Sequence, residues 1–176
     1  MILSPQVLRA LAGTARGLPA RGATMGPQGR WWTARPVQRS STMLIPPISR
    51  YMTRQPWTIR RDARMSQAHQ LMRDHRIRHL PVLEAGKLVG IVSERDLHLV
   101  ETLPDCNPAE VTVEEAMIPD VYAVMPEDPV DEVVQTMADR KYGATVVMNH
   151  HGGIDGIFTT VDALQVLVDV LRRVAT

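Results

Sequence analysis

Gly90-Ile91-Val92-Ser93-Glu94-Arg95-Asp96 decides the fold, because the chain writes the same pattern again as Gly156-Ile157-Phe158-Thr159-Thr160-Val161-Asp162. Each copy is an apolar strand that runs into a hydroxyl residue, with an Asp three positions on and a helical pattern behind it. A Ser or Thr where a strand becomes a helix can cap that helix. Backbone amides at such a terminus favour an anion. The Asp lies one helical turn away and can reach the same space. Each copy therefore offers a hydroxyl, amides and a carboxylate together, a set that suits a nucleotide: phosphate on the amides and hydroxyl, ribose hydroxyls on the carboxylate. The plainer reading also stands, in which Asp96 and Asp162 are helix-start carboxylates favoured by the helix dipole.

Outward from this stretch the repetition continues. An offset of 65 aligns Met52 with Met117, Gln70 with Gln135, Met72 with Met137, Asp74 with Asp139 and Val82 with Val147. One extra residue in a turn moves the offset to 66 for Gly90 and Gly156, Ile91 and Ile157, and Asp96 and Asp162. Turns tolerate such insertions, so the chain reads as a duplicated unit.

Each unit reads as strand, helix, strand, strand, helix. In the first, Ile48 to Met52 form a short helical turn and Trp57-Thr58-Ile59 a strand. Asp62 is expected to cap a helix over 64–76 with Met65, Ala68, Leu71, Met72 and His75 on its buried face. Residues 79–83 and 88–92 form a hairpin around Glu84-Ala85-Gly86-Lys87, and Leu97, Val100 and Leu103 stripe the second helix. In the second unit Val113 to Met117 repeat the lead-in and Tyr122-Ala123-Val124 the first strand. Asp128-Pro129 reads as a cap followed by Pro at the first helical position. Val130, Val133, Val134, Met137 and Ala138 face inward. Ala144 to Met148 and Ile154 to Phe158 flank the turn Asn149 to Gly153. The last helix, over 160–173, carries Leu164, Leu167, Val168 and Leu171 on one face. So broad a stripe predicts burial against the other unit or a partner subunit.

Residues 1–42 hold six Arg and no acid, so the remainder carries a net charge of −5. An acidic body is a poor starting point for general nucleic-acid binding, and no nucleic-acid partner is expected unless the Arg-rich segment supplies the contact. For the Arg-rich segment three readings are open: a disordered tail, an organelle transit peptide, or upstream sequence ahead of a true start at Met43. The single cysteine, Cys106, excludes an internal disulfide and fits a reducing, cytoplasmic setting, or a mitochondrial one if the segment is a transit peptide. With Pro104, Asp105 and Pro108 around it, Cys106 reads as linker. No apolar run is long enough to span a membrane.

The duplicated units, with Ile77-Arg78-His79-Leu80-Pro81-Val82 and the two stretches quoted above, resemble a pair of CBS domains (cystathionine β-synthase-type domains), a Bateman module. The resemblance covers about residues 48–174. It implies an α+β fold of two tandem β-α-β-β-α repeats packed pseudo-symmetrically through their sheets. Residues 45–103 would be the first repeat, 104–111 a linker and 112–176 the second, behind an Arg-rich tail over 1–44. It further implies a regulatory, non-catalytic protein that binds AMP, ADP, ATP or S-adenosylmethionine in the cleft between the repeats. Such modules usually pair into homodimers and act on an effector protein, here unknown.

By the family pattern, Ser93 and Thr159 would touch phosphate or ribose, and Asp96 and Asp162 the ribose hydroxyls. In nucleotide-sensing relatives, basic residues just before Leu-Pro-Val contact phosphates; that place is filled by Arg78 and His79. Thr58, Pro81, Arg95, Ala123 and Ala144 complete the expected lining. The second repeat departs from the pattern: Gly143-Ala144-Thr145-Val146-Val147 has neither the basic pair nor the Pro. The two clefts are therefore expected to differ: the one using Arg78 and His79 would prefer charged nucleotides, and the one around Asp162 would be weak, empty or suited to a less charged adenosyl ligand.

Catalytic signatures point elsewhere. There is no phosphate-binding Gly-rich loop, no nucleophile elbow and no Cys-x-x-Cys. His150-His151 has no Cys or acid at ligand spacing nearby, so no metal is expected.

Overall fold

The computed structural model describes residues 24–25, 31–32, 45–103, 107 and 110–175. Thr24–Met25 and Trp31–Trp32 pair antiparallel. The readings of the rest of residues 1–42 and of Cys106 fall outside the described residues.

From Ile45 onward the elements follow the duplicated order. A 3-10 turn, Ile48–Arg50, leads into β1 (Thr53–Arg54) and β2 (Ile59–Arg60). Then come α1 (Met65–His75), β3 (His79–Glu84), β4 (Lys87–Ser93) and α2 (Glu94–Glu101). The second unit has α3 (Val113–Ala116), β5 (Ala123–Val124), α4 (Val130–Arg140), β6 (Ala144–Met148), β7 (Ile154–Thr159) and α5 (Thr160–Val174). One sheet has the order β2-β3-β4 and the other β1-β7-β6-β5. Both hairpins shift register at equivalent places, Val82/Leu83 and Val147/Met148. Both middle helices end on a left-handed residue, Arg76 and Lys141. The next amide reaches back to the last turn in each, Ile77 N to Met72 O at 3.0 Å and Tyr142 N to Met137 O at 2.9 Å.

The lead-ins are exchanged. Strand β1, from the first unit, pairs with β7 of the second through Thr53 and Ile157. Ile118, from the second lead-in, bridges Ile91 of β4. The flanking hydrogen bonds obey the same two-fold relation: Ile48 N to Asp128 O and Val113 N to Ala63 O, both 2.8 Å. Ser49 N to Pro126 O (3.1 Å) is matched by Glu114 N to Arg61 O (3.0 Å).

The cores follow the exchange. Val113 and Ala116 pack with Ile59, Met65, Met72, Leu80, Val92 and Leu97. Ile48 and Met52 pack with Val124, Val130, Met137, Val147 and Phe158. The repeated glycines make this possible. A Cβ on Gly90 would stand 2.6 Å from Met117 Sδ, and one on Gly156 would stand 2.6 Å from Met52 Sδ and 2.9 Å from Thr53 O. Each Gly thus lets the other unit's methionine lie flat on its strand.

Several local expectations shift. Asp62 does not cap α1: the Arg60 guanidinium holds its carboxylate at 2.8 and 2.6 Å. Arg64 takes the cap position, its amide donating to Gln67 Oε1 at 3.0 Å. Asp128 also stands one residue too early. Pro129 is the cap residue of α4, and Asp128 Oδ2 accepts from Met125 N at 2.8 Å. His75 and Ala138 are exposed. His75 stacks on Trp57 with ring centroids 3.8 Å apart instead of entering the core. The apolar face of α5 is not covered by the other unit: Leu164 is 62% exposed and Leu171 58%. Among the described residues no helix is long and apolar enough to cross a membrane.

Candidate functional site

Both quoted stretches form the same local structure. Strand β4 ends on Ser93 in extended conformation and α2 begins at once; β7 ends on Thr159 before α5 in the same way. Asp96 Oδ2 accepts from Ser93 N at 2.9 Å and from Ser93 Oγ at 2.6 Å, while Asp96 N donates back to Ser93 Oγ at 3.2 Å. Asp162 Oδ2 accepts from Thr159 N at 2.7 Å and Thr159 Oγ1 at 2.8 Å, and Val161 N donates to Thr159 Oγ1 at 3.2 Å. Each is a reciprocal box that satisfies helix-start donors. The carboxylates thus have a structural role as well as any ligand role. Among the described residues these bonds use only Oδ2, which leaves Oδ1 of each Asp to accept from a further donor.

The amides are less available than the sequence suggests. Glu94 N donates to Arg78 O at 2.9 Å and Thr160 N to Gly143 O at 3.1 Å. Those bonds tie the start of each second helix to the strand carrying the other site residues. They leave the side chains, more than the helix-start amides, to hold an anion.

The hairpins complete each station. His79 lies opposite Ser93, and Pro81 opposite Ile91. Ala144 lies opposite Thr159. Thr58 precedes β2, whose Ile59 pairs with Val82; Ala123 pairs with Val146. The first station therefore gathers Thr58, His79, Pro81, Ser93 and Asp96, and the second Ala123, Ala144, Thr159 and Asp162. Pro81 is buried, and Arg78 and Arg95 are exposed.

His79 joins the two repeats. Its Nε2 would lie 2.8 Å from a Cβ on Gly143, so the ring occupies space that any larger residue there would fill. Gly143 is the counterpart of Arg78. Loss of a basic side chain in the second repeat is what makes room for the first repeat's histidine, a packing role that its sequence context did not reveal. Burial pushes the His79 pKa below the usual 6.5; the Asp96 carboxylate opposes that shift and Arg78 adds to it. Burial thus favours the neutral ring, and His79 offers a hydrogen-bonding edge more than a charge.

A depression of about 560 Å³ lies elsewhere, lined by Arg60, Arg61, Asp62, Leu83, Glu84, Ala85, Gly86 and Glu114. It sits at the β3–β4 turn, the opposite end of the hairpin from Ser93. Arg61 is held there by Glu84 (2.9 Å) and by Glu114, an arrangement that ties the exchanged lead-in to the first sheet.

Two tandem α+β units that complete each other's cores define a paired-repeat module. The CBS domain family model matches residues 48–100 and 113–169, and the chain belongs to that family. It is similar to inosine-5'-monophosphate dehydrogenase of Korarchaeum cryptofilum, at 30% identity over 73% of this chain. It spans only 24% of the length of that enzyme. The structure of AcuB from Vibrio cholerae superposes with a TM-score of 0.65 at 32% identity, covering 73% of this chain and 95% of that one. The CBS domain pair of protein MJ0100, solved with 5-methylthioadenosine and S-adenosyl-L-methionine, gives 0.65 at 25% identity, covering 71% and 98%.

Proposed function

We propose that this chain is a regulatory module that senses an adenosine-containing ligand in the cleft between its CBS repeats and passes the bound state to a partner protein. The observation that carries this is the duplicated hydroxyl–carboxylate station, Ser93–Asp96 and Thr159–Asp162, each with a carboxylate oxygen to spare. A spare oxygen on each suits the adjacent hydroxyls of a ribose. The MJ0100 pair, which holds two adenosyl ligands, supports the same reading. On the reading proposed here Arg78 holds phosphate, while Thr58, His79, Pro81, Ser93 and Arg95 shape the first station. Ala123 and Ala144 leave the second smaller and less charged. AMP, ADP or ATP suits the first and S-adenosylmethionine the second. A ligand shifts such a module only by its difference in affinity between two states.

Isothermal titration of the full chain with each ligand tests this reading. Saturable binding that the Asp96→Asn/Asp162→Asn double variant loses is expected; Asn keeps a cap acceptor, so the helices survive. Binding unchanged by the double substitution would remove the stations from the site.

A second reading rests on α5. Val161, Leu164, Leu167, Leu171 and Val174 are all exposed, and an apolar face of that extent suits a homodimer or interaction module that needs no ligand. The two readings separate on Asp96 and Asp162, to which the second is indifferent.

A further inference from the structure

Away from both stations, His69 on α1 and His98 and Glu101 on α2 converge. Glu101 Oε1 lies 2.8 Å from His69 Nε2, and Oε2 lies 3.0 Å from His98 Nδ1. The three donor atoms fall within 4.8 Å of one another. The His69 side chain is only 12% exposed, and its Nε2, though close to Glu101, makes no well-directed hydrogen bond. We propose that His69, His98 and Glu101 bind a divalent transition metal of the zinc class.

Two imidazoles and a carboxylate are a donor set for zinc, with a fourth position left to water. Zinc bonds of about 2.0–2.2 Å hold donor atoms roughly 3.5 Å apart. Each imidazole already lies that close to one of the two Glu101 oxygens, and rotation of the exposed His98 brings both ring nitrogens around a single carboxylate oxygen. A buried nitrogen without a directed partner is costly unless something else satisfies it, and a metal does so. The second repeat serves as the control. Its equivalents are the half-buried Val134 and the exposed Leu164 and Leu167, all apolar. The fold is built without a polar cluster at this place, so the first repeat's three donors answer to something other than folding. In the sequence the adjacent His150-His151 stand out more. The local signal for this cluster is the helical i, i+3 pair His98 and Glu101; His69 joins it only through the packing of α1 on α2.

The test is a titration of the full chain, stripped with EDTA and free of adenosyl compounds, with Zn²⁺ and with Co²⁺. One ion per chain is expected, with visible Co²⁺ absorption. His69→Val and His98→Leu, each the residue the second repeat carries, should weaken binding by at least about tenfold and keep their unfolding midpoint in EDTA. His150→Gln/His151→Gln should bind as the parent chain does. No binding at one ion per chain, or equal binding by His69→Val, would reduce the cluster to a hydrogen-bonded one. Loss of binding in His150→Gln/His151→Gln would place the ion at that turn and overturn the assignment.

Discussion

Where the first repeat has Arg78-His79, the second has Gly143-Ala144; where the first has His69, His98 and Glu101, the second has Val134, Leu164 and Leu167. The positions the repeats share are those that build the fold: Met52 and Met117 lying on Gly156 and Gly90, the two register shifts, the two left-handed helix ends. Core positions differ too, Leu80 against Thr145 and Val92 against Phe158, but there one buried side chain replaces another; the differences in charge and imidazole lie in the cleft and on the helices. The two repeats thus keep one backbone geometry while these cleft and helix positions are free to differ. The first repeat fills its free positions with charge and imidazole. The second fills them with small and apolar residues.

The largest effect expected is at Ile48. It is wholly buried, but in the second repeat's core. Ile48→Ala should cost about 2–5 kcal/mol in denaturant unfolding, and hydrogen exchange should speed first in β6 and β7. Faster exchange first in β3 and β4 would break the exchanged-lead-in account. Next come the glycines. Gly156→Ala and Gly90→Ala should each lose about 1–3 kcal/mol by overpacking. Gly156 should lose more, because a backbone oxygen stands 2.9 Å from its added Cβ against 3.1 Å at Gly90. Equal stability of Gly156→Ala and the parent chain would contradict the close approach.

The smallest effect is in pH. The His79 pKa is lower folded than unfolded. Below about pH 6.5 the unfolded chain takes up a proton that the folded chain refuses, so stability falls with pH until the folded pKa is passed, then levels. Above about pH 6.5 His79 adds no slope. His79→Gln should flatten this part of the profile; an unaltered slope would mean that the ring is not desolvated against Gly143.

Much of this was legible from local pattern. A strand, a Gly, a hydroxyl and an Asp at fixed spacing carry their own geometry, so Ser93–Asp96 and Thr159–Asp162 could be placed from their spacing alone. The hairpins and helices followed from periodicity. What escaped depends on partners distant in the chain or on side-chain competition nearby. Asp62 looked like a cap until Arg60 claimed it. His75 fell on a buried stripe but had Trp57 to stack on. The exchange of Ile48 and Val113 between cores leaves no mark on either segment alone, since each is equally apolar in its own unit. For α5 the sequence allowed burial against the other repeat or a partner; the exposed Leu164 and Leu171 exclude the first.

The proposed function turns on unequal binding of adenosyl ligands at the two stations. It is tested most directly by thermal unfolding of the full chain with AMP, ADP, ATP and S-adenosylmethionine, beside Asp96→Asn and Asp162→Asn. A ligand at ~100 times its dissociation constant stabilises by about 2.7 kcal/mol, several degrees in a domain of this size. A shift with the phosphate-bearing ligands is expected, lost in Asp96→Asn and kept in Asp162→Asn. No shift with any of the four would contradict it.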